Sequence, residues 1–147
     1  MKYKLLTLAL AIASITSTSA TAKITTITGG SNHGLFIERG AVFAFGDNYL
    51  GACGPNAARQ QFQPIFVGLD NVKSVSSTSA WNVALKNDGT VWYWGWNPNT
   101  RVKVFNPIEI PELRGAEDVV LTKNHICLLY TSDAADDLLC VDLGGRR

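Results

Sequence analysis

An internal repeat constrains the fold of this chain more than any other feature of its sequence. The stretch "ERGAVFAFGDN", residues 38–48, returns as "NDGTVWYWGWN", residues 87–97. The matching positions keep a constant spacing, with Gly40 on Gly89 and Gly46 on Gly95. Self-similarity at a period of about 40 to 50 residues is typical of propellers and solenoids, in which each repeat is one supersecondary unit. We therefore expect an array of similar units.

Each copy has the pattern of a hairpin followed by a loop. Apolar and polar residues alternate on both sides of residues 87–89, as in two half-buried strands joined by an Asx-Gly turn. Gly46 and Gly95 are expected to end the second strand. Asn48 and Asn97 suit the following loop through side-chain bonds to the backbone. A Pro-Ile pair then begins an edge-type strand. Helical periodicity is not sustained anywhere after residue 22, so the pattern predicts an all-β fold.

Three aromatic or imidazole rings, those of His33, Trp81 and His125, lie at matching repeat positions. They could form a ring of ligand-binding side chains or pack between units. We favour packing, because a zinc site needs three or four convergent ligands and a tryptophan is not one of them.

The residues after the hairpin make the pattern more specific. "DGTVWYWGWN" is followed by Pro-Ile, a Leu-containing turn, a Val and then a ring that closes the unit, as in "WNVALK" at Trp81. Over Ile27–Ile126 this resembles the RCC1 (regulator of chromosome condensation) family. The resemblance implies blades of four antiparallel strands, commonly seven in a closed ring, of which about two are present in this partial β-propeller. "NYLGACG" has Ala-Cys where the family has Gln-Leu, and Trp81 replaces a usual His, which discourages transfer of a specific function.

Both ends of the chain depart from the repeat. Residues 1–22, "MKYKLLTLALAIASITSTSATA", have the charged, apolar and small-residue order of a signal-peptide helix. The sequence predicts cleavage after Ala22 and an exported protein, periplasmic or secreted, with no membrane insertion after cleavage. Residues 127–147, "CLLYTSDAADDLLCVDLGGRR", resemble the translation of a transposase-type sequencing adapter; a genuine acidic loop and strand is the alternative. The predicted organisation is a signal peptide (1–22), RCC1-like repeats (23–126) and a non-native tail (127–147).

The composition and motifs favour binding over catalysis. The formal charge is +1 over 147 residues, so there is no electrostatic footprint for nucleic acid. Phosphate loops, nucleophile elbows and zinc-protease motifs are absent from the sequence, and no pair of carboxylates is indicated. Cys53 is the only cysteine between residues 23 and 126, so no disulfide is expected there, and no histidine lies near it in sequence. We predict no catalytic residue, cofactor or metal ligand.

The candidate binding residues lie in two predicted loops. Loops on a rigid scaffold often carry the binding surface, and aromatic side chains with arginine are the usual interface anchors. The alternative is a pair of solvated loops without a partner. The candidates are Tyr49, Arg59 and Phe62 in the loop 48–63, and Arg101, Lys103 and Phe105 in the loop 97–106.

The aromatic cluster in the second copy contributes one further candidate. Trp92, Trp94 and Trp96 are expected on one face of a strand, with Val91, Tyr93 and Gly95 on the other. Trp92 and Trp94 match Phe43 and Phe45 of the first copy and are interpreted as core between blades. Trp96 matches Asp47, and we expect it at a loop mouth where it could contact a ligand.

Two functions remain open from the sequence. The first is a non-enzymatic scaffold that binds an extracytoplasmic protein or a surface polymer. The second is a targeting module for a secreted enzyme whose catalytic domain lies beyond residue 126. Nucleotide exchange, as in nuclear RCC1 proteins, fits poorly with an export signal and a near-neutral charge.

Recovery of the natural gene past Ile126 tests these interpretations. We expect the repeats to continue in place of the sequence 127–147, and a repeat array up to the stop codon favours the scaffold. A motif-bearing domain after the repeats would favour the enzyme. A natural gene that encodes residues 127–147 would contradict the adapter interpretation.

Overall fold

The computed structural model describes residues 24–132 and 135–142, so the predicted signal peptide lies outside the described residues. Within them, all regular structure is β except for a 3-10 turn at Pro111–Leu113. None of the described residues forms a helix long and apolar enough to span a membrane. The strands are β1 (Ile24–Gly29), β2 (His33–Glu38), β3 (Ala41–Asp47), β4 (Gln60–Phe66), β5 (Val72–Ser77), β6 (Trp81–Lys86), β7 (Val91–Asn97), β8 (Val102–Glu109), β9 (Asp118–Leu121), β10 (His125–Ser132) and β11 (Ala135–Asp142).

The described strands form three antiparallel sheets, which we call blades in chain order. Blade 1 has the order β1-β2-β3-β4, blade 2 has β5-β6-β7-β8, and blade 3 has β9-β10-β11. Strands that follow each other in sequence are also neighbours in the sheet, as in a propeller blade. The all-β prediction and the two predicted four-stranded blades are confirmed.

The central hairpins of blades 1 and 2 differ only in their turns. Arg39 and Gly40 make a two-residue turn with φ of 51° and 80°, the left-handed pair that a tight hairpin requires. The turn of blade 2 is longer and closes with the Lys86 N–H donating to the Thr90 carbonyl. The longer turn of blade 2 explains why residues before the turn and residues after it are separated from their counterparts by different spacings. The pairing itself is the same in both blades, with His33 opposite Gly46 and Trp81 opposite Gly95.

Gly46 and Gly95 do not end their strands, which corrects the sequence-based expectation. β3 continues to Asp47 and β7 to Asn97. Each glycine lies at an irregularity in the pairing with the next strand, with φ of 109° and 101°. A Cβ on either one would lie 2.4 Å from a carbonyl oxygen of the preceding turn. The glycines therefore allow a bulge where two backbones approach closely, and the strands continue beyond it.

The outer strands begin earlier than predicted, so both predicted loops are shorter. Asp47 pairs with Gln60 and Asn97 with Val102, which extends each hairpin past the bulge. As a result Phe62 lies in β4, while Lys103 and Phe105 lie in β8. The sequence pattern placed them in loops because edge strands are polar and irregular, like the loops that precede them.

Two apolar cores lie between the blades. One face of blade 1 packs on blade 2, and the opposite face of blade 2 packs on blade 3. This alternation buries both faces of the inner strands β6 and β7 of blade 2, as a sheet between two others requires, whereas the outer strand β8 is mostly exposed. The first core includes Leu35, Ile37, Val42, Val75 and Trp94, and the second includes Trp81, Val83, Leu85, Val91, Ile126 and Leu128.

The outer face of blade 1 carries a row of phenylalanine rings. Phe36 stacks on Phe43 at 5.4 Å, and Phe43 contacts Phe66 at 5.9 Å between ring centroids. Phe45, which matches the buried Trp94 of blade 2, is 39% exposed. Among the described residues no blade covers this face.

Blade 3 includes sequence from the predicted tail. β10 crosses the predicted boundary at Ile126, and β11 lies wholly beyond it. A disulfide joins Cys127 to Cys140, and Leu128 is fully buried in the second core. The chain thus folds this segment as a hairpin, while its origin as an adapter translation stays a prediction.

Replacement of the bulge glycines tests their structural role. Gly46→Ala and Gly95→Ala each force a Cβ against backbone at an unfavourable φ, so we expect a loss of about 3 kcal/mol in the free energy of unfolding. Gly68→Ala is the matched control, because its φ is 97° and nothing lies within 4 Å of the added Cβ. It should cost about 1 kcal/mol. Urea unfolding followed by circular dichroism measures both, and equal losses at all three positions would refute the close-approach explanation.

Candidate functional site

The predicted binding residues gather at one end of the blades. We call this the loop end. It contains the connections β1–β2, β3–β4, β5–β6, β7–β8 and β9–β10, at residues 30–32, 48–59, 78–80, 98–101 and 122–124. The antiparallel order places these five connections on the same side of the sheets.

Tyr49 is the centre of a contact between blades 1 and 2. Its side chain is 54% exposed, and its ring lies beside two cations. The Lys103 ammonium is 4.0 Å and the Arg59 guanidinium 5.0 Å from the ring centroid. Arg59 belongs to the same loop as Tyr49, whereas Lys103 comes from β8 of blade 2. Both distances fit cation–π interactions, so the ring gathers two positive charges from different blades.

Phe105 extends this contact along β8. A Cβ on Gly51 would lie 3.4 Å from a ring carbon of Phe105, so the ring lies directly over the loop backbone. Phe105 is 40% exposed. Four of the seven predicted residues therefore come together, and we call Tyr49, Arg59, Lys103 and Phe105 the aromatic-cationic patch.

The other three candidates lie at the loop end but outside the patch. Phe62 is 87% exposed and lines a cleft of about 390 Å³ together with Asp47, Gln60 and Gln61. Arg101 is exposed between β7 and β8. Trp96 is half-buried within β7 and pairs with Lys103 in β8. Its strand continues past Gly95 to Asn97, so Trp96 lies near the end of β7, and its contact with a ligand stays a prediction.

The loop that carries Tyr49 is held by Asn48, as the sequence predicted. The Asn48 amide donates to the carbonyls of Gly54 and Ala57 and accepts from the Cys53 N–H. Asn97 plays a similar part in the next repeat, where its side-chain oxygen accepts from the N–H of Asn99 at 2.8 Å. These bonds hold the loop backbone in one conformation.

The patch carries excess positive charge. None of the ion pairs within residues 24–132 and 135–142 involves Arg59, Arg101 or Lys103. Asp47 lies beside the patch and accepts a hydrogen bond from the Tyr49 N–H at 2.9 Å. The positive charges of Arg59, Arg101 and Lys103 are therefore not balanced by an ion pair within those ranges.

A buried polar cluster lies beneath the loop end and joins the two blades. His33 of blade 1 is 7% exposed, and its Nε2 lies 2.7 Å from Asn82 Oδ1 and 2.9 Å from Ser77 Oγ. Ser77 donates to the same Asn82 oxygen at 2.7 Å. The Asn82 amide then donates to the Ala52 carbonyl, which also accepts from the Trp94 indole.

The contact between Ser77 and His33 does not form a nucleophile and base. Asn82 Nδ2 donates to a carbonyl, so Oδ1 is the atom that faces His33. An amide oxygen only accepts, which requires a hydrogen on His33 Nε2. That nitrogen has no lone pair left for the Ser77 proton. The cluster therefore joins blades and does not supply an activated serine.

The other two rings at matching repeat positions, those of Trp81 and His125, lie in different environments. Trp81 is buried in the second core, and its indole donates to the Lys123 carbonyl at 3.4 Å. His125 is half-exposed and lies 3.0 Å from an oxygen of Asp142. Cys53 is buried, and burial raises the pKa of its thiol to about 11, so it is not a nucleophile at neutral pH. The described residues contain no group of three metal-ligating side chains.

Sequence reasoning missed Ser77 and Asn82. Asn82 follows Trp81 at the start of β6, where blade 1 has Gly34, and the repeat comparison gave no reason to single it out. An asparagine among the apolar residues of a buried strand is the one signal that was available, because such a group needs hydrogen-bond partners.

Comparison with solved structures identifies the fold. Human WBSCR16 matches with a TM-score of 0.66 and 19% identity, covering 76% of this chain and 32% of that one. Saccharomyces cerevisiae Prp20p, described with its binding to Gsp1p and histones, matches at 0.69 and 22% over 86% and 32%. Yeast RCC1 (Prp20) bound to Kap60 matches at 0.64 and 23% over 75% and 28%.

These likenesses show an RCC1-like fold, as the repeat pattern implied. The chain spans about a third of the length of these structures. Neither a protein-family model nor a curated protein matches the sequence.

The buried His33 predicts a pH-dependent stability. Burial is the main cause that holds the pKa of His33 below its ordinary value of 6.5, although the Asn82 bond and Asp47 act in the opposite direction. Below pH 6.5 the unfolded chain binds a proton that the folded chain does not. The free energy of unfolding should therefore be unaffected above that pH and fall as the pH drops toward the folded pKa, by at most about 1.4 kcal/mol per pH unit.

Urea unfolding of wild type and His33→Gln between about pH 7 and pH 5 measures this slope, and His33→Gln should flatten it. The same slope in wild type and His33→Gln would contradict the assignment.

Proposed function

We propose that this protein is a non-enzymatic scaffold that presents the loop end of its RCC1-like blades to a partner protein outside the cytoplasm. The observation that carries the proposal is the aromatic-cationic patch. It joins side chains of two blades around Tyr49 and leaves aromatic rings and unpaired cations exposed. Tyrosine and arginine are the side chains most enriched among binding hot spots.

The composition of the loop end supports a protein partner. Phe62 is 87% exposed and Phe105 is 40% exposed, and both lie on strands and not on loops. A strand fixes the backbone, and phenylalanine has only two side-chain torsions, so little conformational freedom is lost when these rings are buried on binding. Exposed rings of this size beside cations are typical of interface centres.

The proteins of similar fold give this proposal its precedent. Prp20p is described with its binding to Gsp1p and histones, and yeast RCC1 with Kap60 bound. Those partners belong to those proteins. For this chain we infer only the same class of role, a rigid array of blades that binds another protein.

The exported location in the proposal depends on residues 1–22, whose charged, apolar and small-residue order is typical of a secretory signal. The non-enzymatic part depends on the chemistry of the described residues. Ser77 and His33 both bond to the side-chain oxygen of Asn82, so His33 does not activate Ser77. The Cys53 thiol is buried, and its pKa is raised to about 11.

Site-specific photo-crosslinking tests the proposal. A photoreactive phenylalanine analogue at position 62 should give a discrete protein adduct when the full chain is expressed in an exporting host. The matched control is the same analogue at position 88, an exposed residue in the turn at the opposite end of blade 2. Position 62 alone should react, because it lies at the loop end beside the patch, whereas position 88 lies at the opposite end of blade 2. Equal adducts from both positions, or none from position 62, would refute the proposal.

A further inference from the structure

We propose that the aromatic-cationic patch binds an acidic peptide segment of the partner protein, an inference that rests on the proposed function. The patch holds two cations near one ring, at 4.0 Å and 5.0 Å from its centroid. Two like charges beside the same ring repel each other, and a carboxylate near both of them relieves the repulsion. The charge on the patch thus selects a partner with negative charge.

The charges near Tyr49 are not already neutralised within the chain. Arg59 and Lys103 are exposed and take part in none of the ion pairs of residues 24–132 and 135–142. Asp47 is beside them, and one of its oxygens is taken by the Tyr49 N–H. In contrast, Lys73, Lys86 and Arg114 away from the loop end each pair with a carboxylate. Of the lysines and arginines of the described residues that are in none of these ion pairs, Arg39 alone lies away from the loop end.

Arg59 gives the patch a geometry suited to carboxylates. Its backbone carbonyl accepts from the Asn48 N–H at 2.7 Å, which anchors the residue to the fixed part of the loop. An arginine held in this way presents a planar fork that can bind both oxygens of one carboxylate. Lys103 supplies a point charge beside it.

The exposed rings distinguish a peptide from other polyanions. Phe62 and Phe105 need apolar partner groups, which a peptide supplies and a sulfated polysaccharide does not. A nucleic acid could stack on the rings, but its affinity depends on many phosphate contacts. The few cations at the loop end and a formal charge of +1 for the whole chain do not supply so many contacts.

The cleft beside Phe62 has polar groups suited to a peptide backbone. Gln60 and Gln61 line this space of about 390 Å³ together with Asn32 and Asp47. Gln61 is held in place, since its side chain accepts from the Ala58 N–H and donates to the Gln63 carbonyl. A pocket of this size is large enough for a side chain of the segment, and the amides can bond its backbone.

Fluorescence anisotropy with the full chain tests the inference. The probe is a fluorescein-labelled peptide of alternating Glu and Tyr, and its comparison is the same peptide with Gln in place of Glu. We expect the Glu probe to bind and the Gln probe not to bind. Lys103→Gln and Arg59→Gln should each weaken binding of the Glu probe by about tenfold, as the loss of one charge-assisted contact does.

Arg39→Gln is the matched control, because Arg39 is exposed in the β2–β3 turn at the opposite end of blade 1 and its replacement removes the same charge. It should leave binding within about twofold. Circular dichroism verifies that each variant is folded. Equal weakening by Arg39→Gln would show non-specific attraction and overturn the inference.

Two further outcomes would also overturn it. A heparin fragment or single-stranded DNA that competes as well as the Glu peptide would show a site for polyanions in general. Failure of the Glu probe to bind, while position 62 still forms its cross-linked adduct, would refute the acidic segment and leave the scaffold function intact.

Discussion

The carbonyl oxygen of Ala52 is the acceptor on which the joint between the first two blades depends. It accepts from the Asn82 amide and the Trp94 indole, both at 2.9 Å and both fully buried. A buried donor left without its acceptor lowers the free energy of unfolding by about 1–3 kcal/mol, so the loss of this acceptor would destabilise the joint at both donors. The loop of blade 1 is therefore fixed inside the interface by blade 2. That loop also carries Tyr49 and Arg59, so the proposed binding surface lies directly outside the joint between the two blades.

This dependence explains why the patch cannot belong to one repeat alone. Tyr49 and Arg59 come from blade 1, and Lys103 comes from blade 2. Their distances are set by how the two blades dock, and that docking is set by the first core and the Ala52 carbonyl. Any change that shifts one blade against the other moves a cation away from the ring. The proposed binding at the loop end therefore depends on how the two blades pack against each other.

The sequence predicted the elements best where a local pattern decides the structure. The alternation around residues 87–89 and the matching glycines indicated the hairpins and the blades correctly. It failed where pairing between strands decides the outcome. The first residue of β8 depends on Asn97 meeting Val102 across the bulge, which no single strand pattern shows. The role of Asn82 depends equally on a carbonyl from a loop thirty residues earlier in the chain.

The arrangement of the tryptophans has a consequence for spectroscopy. All four of the chain's tryptophans lie in β6 and β7, at the centre of blade 2. Trp94 reports on the contact with blade 1, and Trp81 reports on the contact with blade 3. The outer face of blade 1 contains phenylalanine instead and absorbs only weakly. Intrinsic fluorescence is thus a local signal of the middle blade and its two interfaces, and separation of an outer blade would change the emission of one indole before the other.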